Sequence, residues 1–209
     1  TSIGGLRLVS PFIAASGCFG YGVEYAGLVD LSTIGAVVVK GLFLKEREGH
    51  APPRIVETPA GMLNAIGLQG IGVHRFVSER LPELRAHRAV VIVNVCGSTL
   101  EEYVEVTARF DDSPIDAMEI NISCPNVKEG GVAFGNSPEM SARVVEACRA
   151  VTRKPLITKL SPNQTDIREN ARRCIESGSD ALAVINTVMG MAIDVQTRKP
   201  VIGNIQGGL

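Results

Sequence analysis

Short, nearly continuous runs of Val, Ile, Leu and Ala recur along the chain, and segments with apolar residues at helical spacing separate them. Continuous apolar runs are typical of strands that are covered on both faces, as in a parallel sheet. Regular alternation of such strands with helices predicts right-handed crossovers and therefore a parallel α/β fold. Six strands are predicted, at residues 11–16, 36–40, 89–95, 117–122, 155–160 and 181–186.

Start and stop signals mark several of the intervening helices. Ser98 and Glu101 have the spacing of a capping box ahead of a helix that begins near residue 100. Ser137 directly precedes a proline, a combination that predicts the start of the next helix. Thr165 is the predicted cap of a third helix, which Gly178 ends.

Two connections are longer than their helices require. Residues 41–72 contain two consecutive prolines and a glycine-rich stretch, and residues 123–136 contain three glycines. Both follow the carboxyl end of a predicted strand, where parallel α/β folds place their active sites. Because long loops in compact domains are commonly functional, we expect both connections to contribute to the site.

Composition narrows the class of protein. The 209 residues are 45% apolar with a net charge of −1, which is typical of one α/β domain and gives no electrostatic footprint for nucleic acid or an anionic membrane. No apolar run approaches the ~20 residues of a membrane-spanning helix, and no secretory leader pattern is present. The five cysteines include no CxxC pair, so we expect a cytoplasmic protein without a metal site or a disulfide framework.

Polar side chains follow each apolar strand at the point where it ends. Lys40 and Lys159 are the most informative, because a lysine in an apolar run must be paired or lose its charge. No Asp or Glu accompanies them there, which predicts a positively charged site rich in neutral hydrogen-bonding groups. Such a site suits an anionic substrate or the electron-rich edge of a cofactor, not a divalent metal. The other strand ends carry Ser16, Asn94, Asn121, Asn186 and Thr187, each of which is singly also compatible with an ordinary polar cap.

Two longer segments resemble a known family. The sequence NISCPNVKEGG at residues 121–131, followed by Phe-Gly at 134–135, closely resembles the catalytic-loop signature of class 1 dihydroorotate dehydrogenases. The sequence MLNAIGLQ at residues 62–69 resembles their substrate-binding loop, although Gly70 departs from the Asn of many members. Shorter matches in the family's order are Val-Lys-Gly at 39–41, Val-Asn-Val at 93–95, Lys-Leu-Ser-Pro-Asn at 159–163 and Ile-Asn-Thr at 185–187.

The resemblance implies a fold, a reaction and a cofactor. The fold is a (β/α)8 TIM barrel, of which about six strands are present here, in one FMN-binding domain spanning residues 1–209. Strands seven and eight, and the FMN phosphate site, are expected beyond residue 209. The reaction is the oxidation of (S)-dihydroorotate to orotate in the de novo synthesis of pyrimidines (UMP). A base takes a proton while a hydride passes to N5 of the flavin, because no side chain accepts a hydride.

The same resemblance implies the role of individual residues. Cys124 is the base, and a thiol pKa near ~8.5 leaves a useful thiolate fraction slightly above neutrality. Lys159 is the second catalytic residue, beside the pyrimidine end of the flavin, and the other four cysteines are expected to be structural. Flavin contacts are implied for Ser16, Lys40, Gly41, Asn94, Asn121, Lys159 and Ile185. Substrate contacts are implied for Lys40, Asn64, Ala65, Ile66, Gly67, Leu68, Asn121, Asn126, Asn186 and Thr187.

A partner subunit is implied as well. The continuation after Asn126 resembles the NAD-linked B type, which works with a second subunit that carries FAD and a [2Fe-2S] cluster. The two subunits form a heterotetramer around a catalytic homodimer. Because this chain has neither a four-cysteine cluster motif nor a dinucleotide fingerprint, those cofactors are expected only in the partner.

Three alternatives stay open on the sequence alone. One is another flavin barrel, such as the related domain of dihydropyrimidine dehydrogenase or a dihydrouridine synthase, although the net charge argues against a tRNA-binding enzyme. The second is a non-enzymatic binding subunit without a cofactor. The third is a phosphate-binding barrel such as an aldolase, in which Lys159 would form a Schiff base. Apart from its motif, Cys124 is also compatible with a small buried core residue, and Gly67 with a turn glycine.

Overall fold

The computed structural model of the protein describes residues 1–59, 61–122, 128–129 and 132–209. In chain order its strands are β1 (Ser2–Ile3), β2 (Leu6–Arg7), β3 (Ile13–Ala14), β4 (Ala36–Val38), β5 (Ile55–Thr58), β6 (Gly61–Asn64), β7 (Val91–Val95), β8 (Ala117–Asn121), β9 (Lys128–Glu129), β10 (Val132–Ala133), β11 (Leu156–Lys159), β12 (Ala181–Ala183), β13 (Met189–Gly190), β14 (Ile193–Asp194), β15 (Lys199–Pro200) and β16 (Gly207–Gly208). Its helices are α1 (Gly72–Arg75), α2 (Leu81–Ala86), α3 (Leu100–Asp111), α4 (Pro138–Ala150) and α5 (Ile167–Glu176). A π-helical turn, Phe76–Arg80, joins α1 to α2, and short 3-10 turns lie at Val23–Tyr25, Leu31–Thr33 and Phe134–Asn136.

The central element is a six-stranded parallel sheet in the order β12-β11-β8-β7-β4-β3. Each of its strands lies within one of the six predicted strands, so that prediction is confirmed. The order of these six strands in the sheet is the same as their order along the chain, as in a barrel that winds in one direction. The sheet is a partial (β/α)8 barrel.

The alternation of side chains along each strand produces two apolar layers. In β8, Met118 and Ile120 point towards the helices and belong to the larger core, together with Phe76 and Phe110. Ala117 points to the opposite, inner face of the sheet. The buried residues of this inner layer are Leu8, Ala36, Val38, Ile92, Ala117 and Ile157. Coverage of both faces explains why the strands read as continuous apolar runs.

Two of the predicted helix caps are wrong by one residue. The N-cap of α3 is Thr99, which is extended and accepts from the backbone N–H of Glu102 at 3.2 Å, while Glu102 accepts from the N–H of Ser98 at 2.6 Å. The N-cap of α5 is Asp166 and not Thr165, because the Asp166 carboxylate accepts from the N–H of Arg168 at 2.9 Å and also binds that guanidinium. The caps at residues 137 and 178 are confirmed: Ser137 is the N-cap of α4, and Gly178 has a φ of +107° two residues after the end of α5.

The 41–72 connection is not the continuous loop that its composition predicted. It contains the antiparallel hairpin β5–β6, and this hairpin joins β16 and β13 in a four-stranded sheet in the order β13-β16-β6-β5. Its strands come from the segment that follows β4 and the segment that follows β12, so the small sheet joins these two segments at the carboxyl side of the parallel sheet. A separate small core of Leu63, Ala65 and Ile202 supports it.

No helix in the described ranges is both long enough and apolar enough to cross a membrane.

Candidate active site

Three asparagines and a glutamate form a continuous hydrogen-bonded network on the inner face, at the carboxyl ends of the strands. Asn186 Nδ2 donates to Asn121 Oδ1 at 3.0 Å. Asn121 Nδ2 in turn donates to Asn94 Oδ1 at 3.2 Å, and Asn94 Nδ2 donates to Glu119 Oε1 at 2.5 Å. The network connects residues of β7 and β8 with residue 186, beyond the end of β12. The predicted convergence of strand-end amides is therefore present for these three asparagines.

Glu119 contradicts the prediction that no acid accompanies the lysines. Its side chain points into the barrel, the residue is 5% exposed, and the positive charge of Lys159 acts on it. Burial raises the pKa of Glu119, and the attraction of Lys159 and the hydrogen bond from Asn94 oppose that rise. The prediction failed because it considered only the last residue of each strand. The alternation of side chains along a strand does predict that Glu119 points inwards, since residue 119 is two positions before Asn121 and lies on the same face.

Tight packing fixes the position of Asn94, which is fully buried. Its Oδ1 also accepts from the thiol of Cys96 at 3.3 Å, and a Cβ on Gly41 would lie 3.0 Å from this oxygen and 2.9 Å from the Cys96 sulfur. Gly41 is therefore required by the close approach of the chain after β4. The Tyr103 hydroxyl donates to the backbone carbonyl of Asn121 at 2.7 Å, which ties the same cluster to α3.

The two lysines have different charged neighbours. Lys159, the last residue of β11, lies where it attracts Glu119. Lys40 lies two residues beyond β4, where burial and the nearby Arg54 guanidinium lower its pKa and Glu24 partly opposes this. A cavity of about 380 Å³ adjoins Lys40, and its other lining residues include Tyr21, Arg47, Gln69, Gly70 and Arg75. Both lysines face the carboxyl side of the sheet, as predicted, but in separate electrostatic surroundings.

The loop after β6 has a defined conformation that depends on glycine. Gly67 and Leu68 have φ values of +78° and +56°, and a Cβ on Gly67 would lie 2.5 Å from the backbone nitrogen of His50. His50 holds the loop through two contacts: its N–H donates to Ile66 O at 3.0 Å, and its Nδ1 lies 3.1 Å from Ala65 O. The loop is thus preformed, and a substrate role for its backbone stays a prediction.

The residues after β12 are held by a side chain to which sequence analysis gave no role. Asn163 Nδ2 donates to Thr187 O at 3.0 Å, and Asn163 Oδ1 accepts from Met189 N at 2.9 Å. Ile185, before this segment, is 42% exposed. In the sequence, the position of Asn163 at the end of the Lys-Leu-Ser-Pro-Asn motif is the one feature that could have indicated this role.

Asn64 also contacts the end of the chain. Its Nδ2 donates to Gly208 O at 3.1 Å, and a Cβ on Gly208 would lie 2.6 Å from the Thr187 hydroxyl oxygen. The strand β16 therefore connects two of the predicted substrate residues. Ser16, a predicted flavin contact, lies two residues beyond β3 and is half-buried.

Cys124 and Asn126 lie outside the described residues, so their predicted roles stay predictions. Among the other cysteines, Cys148 and Cys174 are buried, and burial raises their thiol pKa values to about 11 and about 12. Cys96 is also buried, whereas Cys18 is exposed and is not a core residue. High thiol pKa values make Cys148 and Cys174 unsuitable as bases near neutral pH.

Comparison with known proteins gives one consistent family. The model of the dihydroorotate dehydrogenase family matches residues 1–209. A relative from Pelobacter propionicus is 55% identical over 209 residues, which cover 100% of this chain and 69% of the relative. Relatives from Trichlorobacter lovleyi and Geobacter sulfurreducens are 55% and 53% identical over 208 residues, covering 99% of this chain and 68% of each relative. All three bear the name dihydroorotate dehydrogenase B (NAD(+)), catalytic subunit.

Proposed function

This chain belongs to the dihydroorotate dehydrogenase family of oxidoreductases, and we propose that it catalyses the FMN-dependent oxidation of (S)-dihydroorotate to orotate in de novo pyrimidine synthesis. The observation that carries the proposal is the Asn94–Asn121–Asn186 network beside Lys159. Side-chain amides offer both donors and acceptors, which is what a pyrimidine ring with alternating N–H and C=O groups requires. A site built in this way rejects ligands that lack those groups, because its own polar atoms would stay unpaired.

The donor set also fits a flavin. FMN supplies the acceptor for the hydride, at N5, which no protein side chain provides. The ammonium group of Lys159 is suited to stabilise negative charge on the pyrimidine end of the ring, and Ile185 offers exposed apolar surface. The remaining residues that would hold the flavin are Ser16, Lys40, Gly41, Asn94 and Asn121. We propose one FMN-binding barrel domain over residues 1–209.

The residues proposed to bind substrate come from three segments. Asn121 and Asn186, already hydrogen-bonded to each other, would contact the ring amides. Asn64 and the backbone of the preformed loop 65–68 would hold the opposite side, and Lys40 would attract the carboxylate. The proposed set is completed by Asn126 and Thr187.

Cys124 is the proposed base. It would take a proton from one ring carbon of dihydroorotate, on the face of the ring opposite to the one from which the hydride leaves. The thiol chemistry suits a reaction near or slightly above neutral pH. Burial raises the thiol pKa of Cys148 to about 11 and that of Cys174 to about 12, which supports Cys124 as the base over these two.

We further propose a type B assembly. The relatives' names combine NAD(+) with the words catalytic subunit, which supports a separate subunit for the reaction with NAD. Because the five cysteines of this chain form no cluster motif, FAD and a [2Fe-2S] cluster would belong to that subunit. A catalytic homodimer within a heterotetramer, in the cytoplasm, is the proposed arrangement.

The test is the visible absorption spectrum of the purified full-length protein, before and after anaerobic addition of dihydroorotate. We expect flavin bands that bleach on addition, which would identify both cofactor and substrate. Flavin that bleaches with dihydrouracil but not with dihydroorotate would contradict the proposed substrate. A protein that takes up no FMN when it is supplied would contradict the proposed cofactor.

A further inference from the structure

Glu119 is a buried acid within the candidate site, and neither the resemblance to the family nor the proposed reaction gives it a role. It lies on the inner face of β8 between Ala117 and Asn121, with 5% of its surface exposed. Its charged neighbour is Lys159, and its hydrogen-bond donor is Asn94 at 2.5 Å. An acid is costly to bury, so its presence among neutral amides calls for a reason.

The polarity of the network follows from this acid. An ionised carboxylate only accepts hydrogen bonds, so Asn94 must turn its Nδ2 group towards Glu119. The Oδ1 of Asn94 then faces Asn121, which must present its own Nδ2 there and its Oδ1 to Asn186. Asn94 is thus oriented by Glu119 and Asn121 by Asn94, while Asn186 is also held by the backbone N–H of Thr187, which donates to its Oδ1.

An asparagine has no such orientation by itself. The oxygen and the NH2 group of an amide have nearly the same shape, so only hydrogen-bond partners decide which way it points. Among the described contacts of this cluster, two partners have roles that cannot be reversed. The Glu119 carboxylate only accepts, and the backbone N–H of Thr187 only donates, to Asn186 Oδ1 at 2.9 Å. The ordered direction, Asn186 to Asn121 to Asn94 to Glu119, is therefore set by Thr187 at the Asn186 end and by residue 119 at the Asn94 end.

We propose that Glu119 is a positioning residue that acts through Asn94 to fix the orientation of the Asn121 amide, and thereby the pattern of donors and acceptors that Asn121 offers to the pyrimidine ring. The inference rests on the proposed function for the identity of the ligand. Reversed amides would place carbonyl against carbonyl and N–H against N–H at the ring, which loses the bonds and repels the ligand.

The first test is the dissociation constant of orotate, measured by calorimetry on the full-length protein with Glu119→Gln. Glutamine keeps the size of the side chain but can present either oxygen or nitrogen to Asn94, so the orientation is no longer imposed. We expect orotate to bind about tenfold more weakly or worse. The matched control is Glu105→Gln, which neutralises an exposed acid paired with Arg109 on α3 and is expected to leave orotate binding unchanged.

The second test moves the carboxylate along the network. In the double variant Glu119→Gln, Asn94→Asp, the residue that faces Asn121 can only accept, so the orientation of Asn121 is imposed again. We expect this variant to bind orotate more tightly than Glu119→Gln alone. A role of Glu119 in packing alone predicts no such recovery, because residue 119 is glutamine in both variants.

Two outcomes would overturn the inference: wild-type affinity for orotate in Glu119→Gln, or a double variant no better than the single one. Failure of the wild-type protein to bind orotate would instead refute the proposed function. In that case the NMR signals of the Asn121 side-chain amide, measured without ligand, test the orientation of Asn121 directly. These should shift in Glu119→Gln and return towards wild type in the double variant, and unchanged signals in Glu119→Gln would refute it.

Discussion

The inner face of the parallel sheet changes character within two residues along each of three neighbouring strands. On the amino side the inward side chains are apolar and tightly buried. On the carboxyl side they are polar, with Asn94 hydrogen-bonded to Glu119 and Lys159 attracting the same carboxylate. The paired positions are Ile92 and Asn94 on β7, Ala117 and Glu119 on β8, and Ile157 and Lys159 on β11. The same backbone therefore carries a layer that stabilises the fold and a layer that is suited to bind ligands.

The difference between the layers is one of free energy as well as of chemistry. The apolar layer gains from removal of hydrocarbon from water, at roughly 25 cal/mol per Å². The side chains of the polar layer lose their hydration on burial, and hydrogen bonds among them compensate for this loss. Burial also disfavours the charged form of Glu119. We therefore expect substitutions in the apolar layer to change stability, and substitutions in the polar layer to change binding or catalysis first.

The largest effect is expected from Cys124→Ser. A hydroxyl ionises far less readily than a thiol, so almost none of it is available as a deprotonated base, and loss of a positioned base typically costs ~10²–10⁴ in rate. The measurement is the rate of anaerobic flavin reduction by dihydroorotate in the full-length enzyme. The exposed residue in Cys18→Ser is the matched control and should react like wild type. A loss of less than about tenfold would contradict the role of Cys124 as base.

A smaller but clear effect is expected from Ile92→Ala in the apolar layer. Ile92 is fully buried, and truncation of such a side chain costs roughly 2–5 kcal/mol through lost burial and the cavity that remains. Urea unfolding at 25 °C measures the loss, and Ile92→Val should cost about 0.5–1.5 kcal/mol. Orotate affinity under native conditions should stay unchanged. A large loss of affinity with little loss of stability would break the comparison between the two layers.

The smallest effect is a gain in stability from Glu119→Gln at neutral pH. The folded state raises the pKa of Glu119, so folding binds protons there, and the native state loses stability as pH rises above the unfolded value near ~4.3. Glutamine does not titrate and avoids that loss. We expect its unfolding midpoint to exceed that of wild type at pH 7, with the difference disappearing near pH 4. A lower midpoint for the variant at pH 7 would contradict this account.

Strand positions and the strand-end polar residues could be predicted because continuous apolar runs are specific to a sheet that is covered on both faces. Glu119 could not be found in that way, since a glutamate within an apolar run gives no sign of whether it points inwards. Alternation from Asn121 places it on the inner face only once the strand bounds are known.

The small antiparallel sheet was also missed, for a physical reason. Its strands are two to four residues long and include pairs such as Gly207–Gly208, which have no hydrophobic pattern of their own. They are stabilised by contacts distant in sequence, among them the bond from Asn64 to Gly208. Asn163 escaped notice likewise, because its two bonds to the 187–189 segment depend on tertiary placement.

The most direct test of the central claim, that the polar layer is the ligand site, is the dissociation constant of orotate for the full-length Asn121→Ala variant, beside Ile92→Ala as control. We expect Asn121→Ala to weaken orotate binding by about tenfold or more, since it removes the central amide of the network and leaves its neighbours unpaired. Ile92→Ala should bind orotate as the wild-type protein does. Equal affinities for Asn121→Ala and the wild-type protein would contradict the claim.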